Sequence, residues 1–266
     1  MFNKNDIFKQ LEEMNAPKNS VVLMHSSLKA IGEVEGRGEG LLDILIEYFT
    51  EDGGIFCIPT HTWAFAGDDK VSLDLTKPKT CIGKLPDIAA VRVDGVRTMH
   101  PTHSMAVFGE KSRVEEFIKG EDEITTPTSK DGCYAKIFKN NGYVLLAGVG
   151  HNRNTYLHSV EEILDIKNRI SDDTFRMLIK DKDGNIVLRN NHYHKADFTN
   201  DVSARYPKFE PAFRYFGAIT DGYIGNAKTQ LCSAVKMKET LELIYSRANG
   251  EEILFDFTPL DEKLFK

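Results

Sequence analysis

"VVLMHSSLKAIGEVEGRGEGLLDILIEYFTEDGGIFCIP", residues 21–59, decides the fold. Val21-Val22-Leu23-Met24 is a short unbroken apolar run, the pattern of a buried strand. From Gly38 to Phe49, Leu41, Leu42, Leu45 and Phe49 recur at helical spacing. Gly54-Ile55-Phe56-Cys57-Ile58 is a second apolar run, and Pro59 ends it. Strand, helix, strand in succession argues for a layered sheet with helices on both faces.

The alternation extends in both directions. Ile7 and Leu11 predict an opening helix capped at Asn5 or Asp6. Gly83 to Val93 reads as a helix that tolerates Pro86 in its first turn. Ser104 to Phe108 reads as a strand, Val114 to Ile118 as a short helix, and Val144-Leu145-Leu146 as a further strand. From Arg169 the texture changes. Phe175 to Ile179 and Ile186 to Leu188 predict a hairpin whose Asp183-Gly184 suits a mirror-type turn, with positive φ at both central residues. Pro207 to Phe216 reads as helical, and "DGYIGNAKTQLCSAVKMKETLELIYS" (221–246) as a strand and turn leading into a closing helix. Without a Ser- or Pro-rich linker or an internal repeat, one domain over residues 1–266 is expected.

Composition narrows the function classes. Hydrophobic residues at 41% and charged ones at 28% are those of an ordered globular chain. A net charge of −6 without a basic stripe argues against a nucleic-acid partner and suits a cationic ligand. Cys57, Cys81, Cys133 and Cys232 lie far apart without a CxxC pair, as reduced thiols do. No charged leader precedes an apolar stretch and no apolar run approaches ~18 residues, so a cytoplasmic protein without a membrane partner is expected.

Three segments carry chemistry. In "NTYLHSVEEILDI" (154–166), a cap at Asn154 or Thr155 puts His158 in or just after the first turn of a helix. At about 100° per residue, Leu157, Val160 and Leu164 form the apolar stripe, with Glu161 at its edge and Glu162 on the wetter side. Either carboxylate reaches the imidazole, and burial favours Glu161. Such a pair is a base with its orienter, half a metal site or a surface ion pair. In "RTMHPTHSMAVFG" (97–109), Pro101 stiffens a turn that sets His100, Thr102, His103 and Ser104 at a strand entrance. Loops at strand ends build sites in α/β folds, although polar loop residues also satisfy their own backbone. In "MHSSLKAIGEVEGRGEG" (24–40), His25, Ser26 and Ser27 precede Gly32, Gly36, Gly38 and Gly40. A strand running into serines and a Gly-rich turn can offer backbone N–H groups to phosphate, though it is neither a P-loop nor a GxGxxG fingerprint.

Together these segments resemble the aminoglycoside 3-N-acetyltransferases, or antibiotic N-acetyltransferases. "VVLMHSSLKAIGEVEG" is similar to the family's opening strand and HxSL loop, and "GGIFCIPTHTW" to its strand ending in Pro-Thr. "RTMHPTHSMAVFG" resembles its HPxxS block, "LLAGVGHNRNTYLHSVEE" its NTxLHxxE stretch, and "GYIGNAKTQLCSAVKM" its C-terminal Gly-x-Ala element. The likeness covers most of residues 20 to 240. It implies a three-layer α/β/α fold with a central mixed sheet, distinct from GNAT acetyltransferases, whose Q/RxxGxG/A loop is absent here.

The resemblance also implies acetyl-coenzyme A as co-substrate, no metal, and an amino group of a 2-deoxystreptamine aminoglycoside as acceptor. By position, His158 matches the family's catalytic histidine and Glu161 its partner, while Ser26, Ser27, Leu28, Ser104 and Thr155 fall where coenzyme A binds. Two departures concern the acceptor. "LRNNHYHKADFTND" (188–201) carries His192, His194, Asp197 and Asp201 where many members have a carboxylate-rich stretch, and Cys133 stands where small polar residues are common. Two readings of other classes stay open. One is a metal-dependent hydrolase using His100xxHis103, His192xHis194 and His158xxGlu161, although HExxH is missing. The other is a non-catalytic coenzyme A sensor. The oligomeric state is left open.

Overall fold

Asn3 begins the first helix, α1 (Lys4–Glu13). Its side chain accepts from the Asp6 N–H at 3.1 Å, and the Asp6 carboxylate takes the Asn3 N–H at 2.9 Å. The cap expected at Asn5 or Asp6 therefore lies earlier, because Asp6 is the reciprocal partner in the capping box. The computed structural model describes residues 1–77, 79–195, 202–249, 253–254 and 257–266.

Next come β1 (Val21–Ser26), α2 (Leu28–Ile31), α3 (Arg37–Thr50), β2 (Ile55–Pro59) and β3 (Lys70–Asp74). They are followed by α4 (Lys84–Ala89), β4 (Val96–Arg97), β5 (Met105–Gly109), α5 (Lys111–Ile118), α6 (Cys133–Lys139) and β6 (Tyr143–Ala147). The chain continues with α7 (Tyr156–Ile163), β7 (Phe175–Lys180), β8 (Ile186–Asn191), α8 (Glu210–Tyr215), β9 (Ile219–Ile224), β10 (Ala227–Ser233) and α9 (Ala234–Arg247). Among the described residues no helix is long and apolar enough to cross a membrane.

The larger sheet has the order β4-β5-β2-β1-β6-β10-β9. Its middle is parallel, β1 pairing with β2 and β6, and its flanks are antiparallel. Successive β1 side chains point to opposite faces, so Val21 and Leu23 enter one core while Val22 and Met24 enter the other. The second core is closed by Ile7 and Leu11 of α1 and by Leu41, Leu45 and Phe49 of α3. Ile137 of α6, Tyr156 and Val160 of α7 and Met237 and Leu241 of α9 close the first. The central mixed sheet with a helical layer on each face is the expected architecture.

A smaller sheet, β3-β7-β8, stands beside it. β3 has too short a periodic signal to read, since its alternation is confined to Val71 and Leu73 between charged ends. In the β7–β8 turn only Gly184 has positive φ, at +88°. The Asp181 carboxylate accepts the N–H groups of Asp183 and Asn185 at 2.9 and 2.8 Å, so a longer Asp-nucleated loop replaces the mirror-type turn. Near the C-terminus, residues 202–209 form a 3₁₀ run containing Pro207, and α8 starts only at Glu210. The single strand expected after it is the β9–β10 hairpin.

Candidate active site

β6 stops at Gly148, whose φ is +70° and whose N–H donates to the Lys228 carbonyl at 2.9 Å. A Cβ there would lie 2.4 Å from the Ala30 Cβ, so this sharp exit from the sheet accepts only glycine. After a 3₁₀ turn at His151–Arg153, Thr155 caps α7 without a side-chain bond. Its N–H donates instead to Nε2 of His25 at 3.3 Å, which ties the helix start to the end of β1. His25 is therefore protonated on Nδ1, and burial pushes its pKa down to about 3.

His158 is the third residue of α7 and is 7% exposed. Its Nδ1 lies 2.6 Å from the Tyr206 hydroxyl and 3.4 Å from Oε2 of Glu161. Tyr206 donates to Oε1 of the same carboxylate at 2.5 Å, and Nε of the buried Arg169 donates to Oε2 at 2.7 Å. Burial by itself would raise the Glu161 carboxyl. The hydrogen bond with His158 and the Arg169 charge, joined by Tyr206, outweigh it and hold the group below the usual carboxylate range. Glu162 turns away. It accepts the Thr126 hydroxyl at 2.5 Å and the Thr128 N–H and hydroxyl at 2.9 and 2.7 Å, and burial raises its pKa despite these bonds. Only Glu161 reaches the imidazole.

Around this pair the fold gathers histidines that are scattered in the sequence. The His194 ring stacks on His158 with centroids 4.3 Å apart, and it meets His103 edge-on at 5.2 Å. His103 in turn packs against His61 at 4.6 Å and His100 at 5.9 Å. These rings lie by the carboxyl ends of β1 and β2 and the entrance to β5, where open α/β sheets place their ligands. Burial drives the pKa of His61, His103 and His194 well below the ordinary value and that of His100 down to about 4. Nε2 of His61 pairs with the Tyr134 hydroxyl at 2.6 Å. Both ring nitrogens of His194 are buried without a hydrogen-bond partner among the described residues. Among the described residues no three His, Cys, Asp or Glu side chains are arranged to hold a metal ion.

The other singled-out residues divide. Ser26 closes β1 opposite Ala147, Ser27 caps α2 by accepting the Ala30 N–H, and Leu28 opens that helix. Thr155 joins them through His25. Ser104 sits farther along the sheet edge, fully buried, its hydroxyl donated to the Thr60 carbonyl at 2.8 Å. Asp197 and Asp201 lie outside the described residues. Tyr206 and Arg169 carry no local signal in the sequence, since each reaches Glu161 from a different element. A separate cleft of about 740 Å³ lies between Gly148–Gly150 and the β9–β10 hairpin, walled in part by Arg214, Asp221, Tyr223 and Lys228.

Residues 23–244 match the sequence pattern of aminoglycoside 3-N-acetyltransferase. An aminoglycoside N(3)-acetyltransferase IV from Salmonella sp is 29% identical over 164 residues, covering 59% of this chain and 58% of that protein. The SPbeta prophage-derived aminoglycoside N(3')-acetyltransferase-like protein YokD of Bacillus subtilis (strain 168) is 22% identical over 177 residues, covering 59% of this chain and 64% of its own. The chain thus spans less than two thirds of the length of these curated relatives. Crystalline aminoglycoside acetyltransferase AAC(3)-IVa in complex with a gentamicin superposes with a TM-score of 0.76 at 22% identity, over 92% of this chain and 89% of that one, which shows a shared fold.

Proposed function

Because the chain belongs to the aminoglycoside 3-N-acetyltransferase family, we propose that it transfers an acetyl group from acetyl-coenzyme A to an amino group of a 2-deoxystreptamine aminoglycoside, with His158 as general base. One observation carries the reading. The imidazole is gripped through Nδ1 by Tyr206 and Glu161, while no described residue hydrogen-bonds Nε2. A histidine anchored through one nitrogen and open at the other has the form of a proton acceptor.

Acetyl-coenzyme A supplies an activated acyl group, and an amine must shed a proton as it becomes an amide. His158 takes that proton, and the ionised Glu161 stabilises the imidazolium that results. Ser26, Ser27 and Leu28, at the carboxyl end of β1 and the start of α2, are the proposed coenzyme A side, with Thr155 across the strand end. Ser104 supports that edge through Thr60, and because its one proton is committed there, the thioester oxygen falls to backbone N–H groups. Transfer is direct, within a ternary complex. Cys57 and Cys133 are buried, and burial pushes both thiols above their ordinary pKa, so neither offers a thiolate to accept the acyl group.

The test is acetyl-coenzyme A turnover, followed by thiol release, against aminoglycosides and smaller amines. Turnover with an aminoglycoside is expected, and His158→Ala should lower it by about 10²–10⁴. Near-wild-type turnover in that variant removes His158 from the mechanism. Activity confined to smaller amines keeps the acyl transfer and discards the aminoglycoside as acceptor.

A further inference from the structure

We infer that Tyr206 is a positioning residue: its hydroxyl stands between His158 and Glu161 and fixes which imidazole nitrogen carries the proton. The inference rests on the acyltransfer reading only for its kinetic consequence. Its structural basis is a proton inventory.

Glu161 is ionised and can only accept. Arg169 donates to its Oε2 at 2.7 Å, which leaves Oε1 facing Tyr206. The Tyr206 hydroxyl has a single proton, and at 2.5 Å it donates that proton to Oε1. Nδ1 of His158 lies 2.6 Å from the same phenolic oxygen. That oxygen has no second proton to give, so it must accept, and Nδ1 must be the donor. The neutral ring is thereby held as the Nδ1–H tautomer, with the lone pair on Nε2.

Distance makes Tyr206 the main link. The direct Nδ1 to Glu161 approach is 3.4 Å, longer than either step through the phenol. Tyr206 is also 1% exposed, so water does not compete for these bonds. Burial, then Glu161, keeps the phenol pKa well above its ordinary value, and the hydroxyl retains its proton throughout.

In the reaction, the amine nitrogen forms its bond to the acyl carbon as its proton passes to Nε2. The carbon–sulfur bond breaks, and Nε2–H returns the proton to the departing thiolate. Amide and thiol are the products. Tyr206 neither gains nor loses a proton. It transmits the negative charge of Glu161 to Nδ1–H while the imidazolium lasts.

The test needs no substrate at first. In protein carrying ¹⁵N-labelled histidine, the His158 ring nitrogens, assigned by their disappearance in His158→Ala, should show a protonated Nδ1 and a bare Nε2 at neutral pH. In Tyr206→Phe the ring should shift towards a mixture of tautomers. The kcat should fall by about 10- to 100-fold, the usual cost of losing an outer partner that orients a histidine, with KM for the amine nearly unchanged. A Tyr206→Phe protein that keeps the wild-type tautomer and a kcat within twofold overturns the proposal. If Tyr206→Phe does not fold, fluorotyrosine placed at 206 keeps the ring and strengthens the donor. A changed Nδ1 shift then supports the link and an unchanged one overturns it. Should wild-type protein acetylate no amine, the acyltransfer reading fails while the tautomer measurement still decides the role of Tyr206.

Discussion

At residue scale the decisive arrangement is a carboxylate with three buried partners, His158, Tyr206 and Arg169. Glu161 and Arg169 are 1% and 2% exposed in their side chains, out of reach of the solvent screening that makes surface pairs weak. Glu161→Gln keeps the shape, removes the charge and leaves Arg169 buried without its carboxylate. It should cost about 3–5 kcal/mol, read from denaturant unfolding. A loss under about 1 kcal/mol would mean that the pair is solvated, as exposed pairs are. The sequence discloses half of this arrangement. His158 and Glu161 share one turn of one helix, so their spacing alone brings them together. Tyr206 and Arg169 arrive from a 3₁₀ run and a loop, and no periodicity records such an approach.

At the scale of elements, the loop after β6 sets the site. Gly148→Ala would force a Cβ to 2.4 Å from Ala30 and 3.2 Å from Ala227 at a φ of +70°. A cost of about 1–3 kcal/mol follows from overpacking, with backbone strain added to it. Because α2 and the start of α7 converge there, thermal melting and acetyl-coenzyme A affinity should fall together. A variant as stable as the parent would show that α2 yields easily. Elements whose apolar residues are continuous or helically spaced, such as β1, α3 and β2, are legible in the chain because each buries a full face. β3 and the two-residue β4 exist only because a neighbouring strand supplies the ladder. The turn after β7 misleads for a different reason, since Asp181, outside the Asp-Gly pair, takes the turn's N–H groups.

Across the whole molecule, the buried histidines make stability depend on pH. His25 is lowered to about 3, His100 and His151 to about 4, and His61, His103 and His194 well below the ordinary value. In the unfolded chain each regains a pKa of about 6.5. Between those limits the unfolded state binds more protons, so stability is fully present above about pH 6.5 and drains away as pH falls towards 4. Glu161, held low, loses its contribution in the same direction as it becomes protonated. Glu121 and Glu162, raised by burial, oppose the trend, but they are two groups against six rings. Urea midpoints should be nearly flat between about pH 7 and 8 and drop steeply between about 6.5 and 4.5. A flat profile across that range would mean that the rings take up protons in place. β10 lies against β6, although residues 148–226 separate them, and Tyr206 lies within that intervening stretch. A nascent chain still short of residue 206 on the ribosome holds its imidazole and carboxylate without the phenol between them. Synthesis therefore completes the grip on the imidazole late, because Tyr206 arrives only with the C-terminal third.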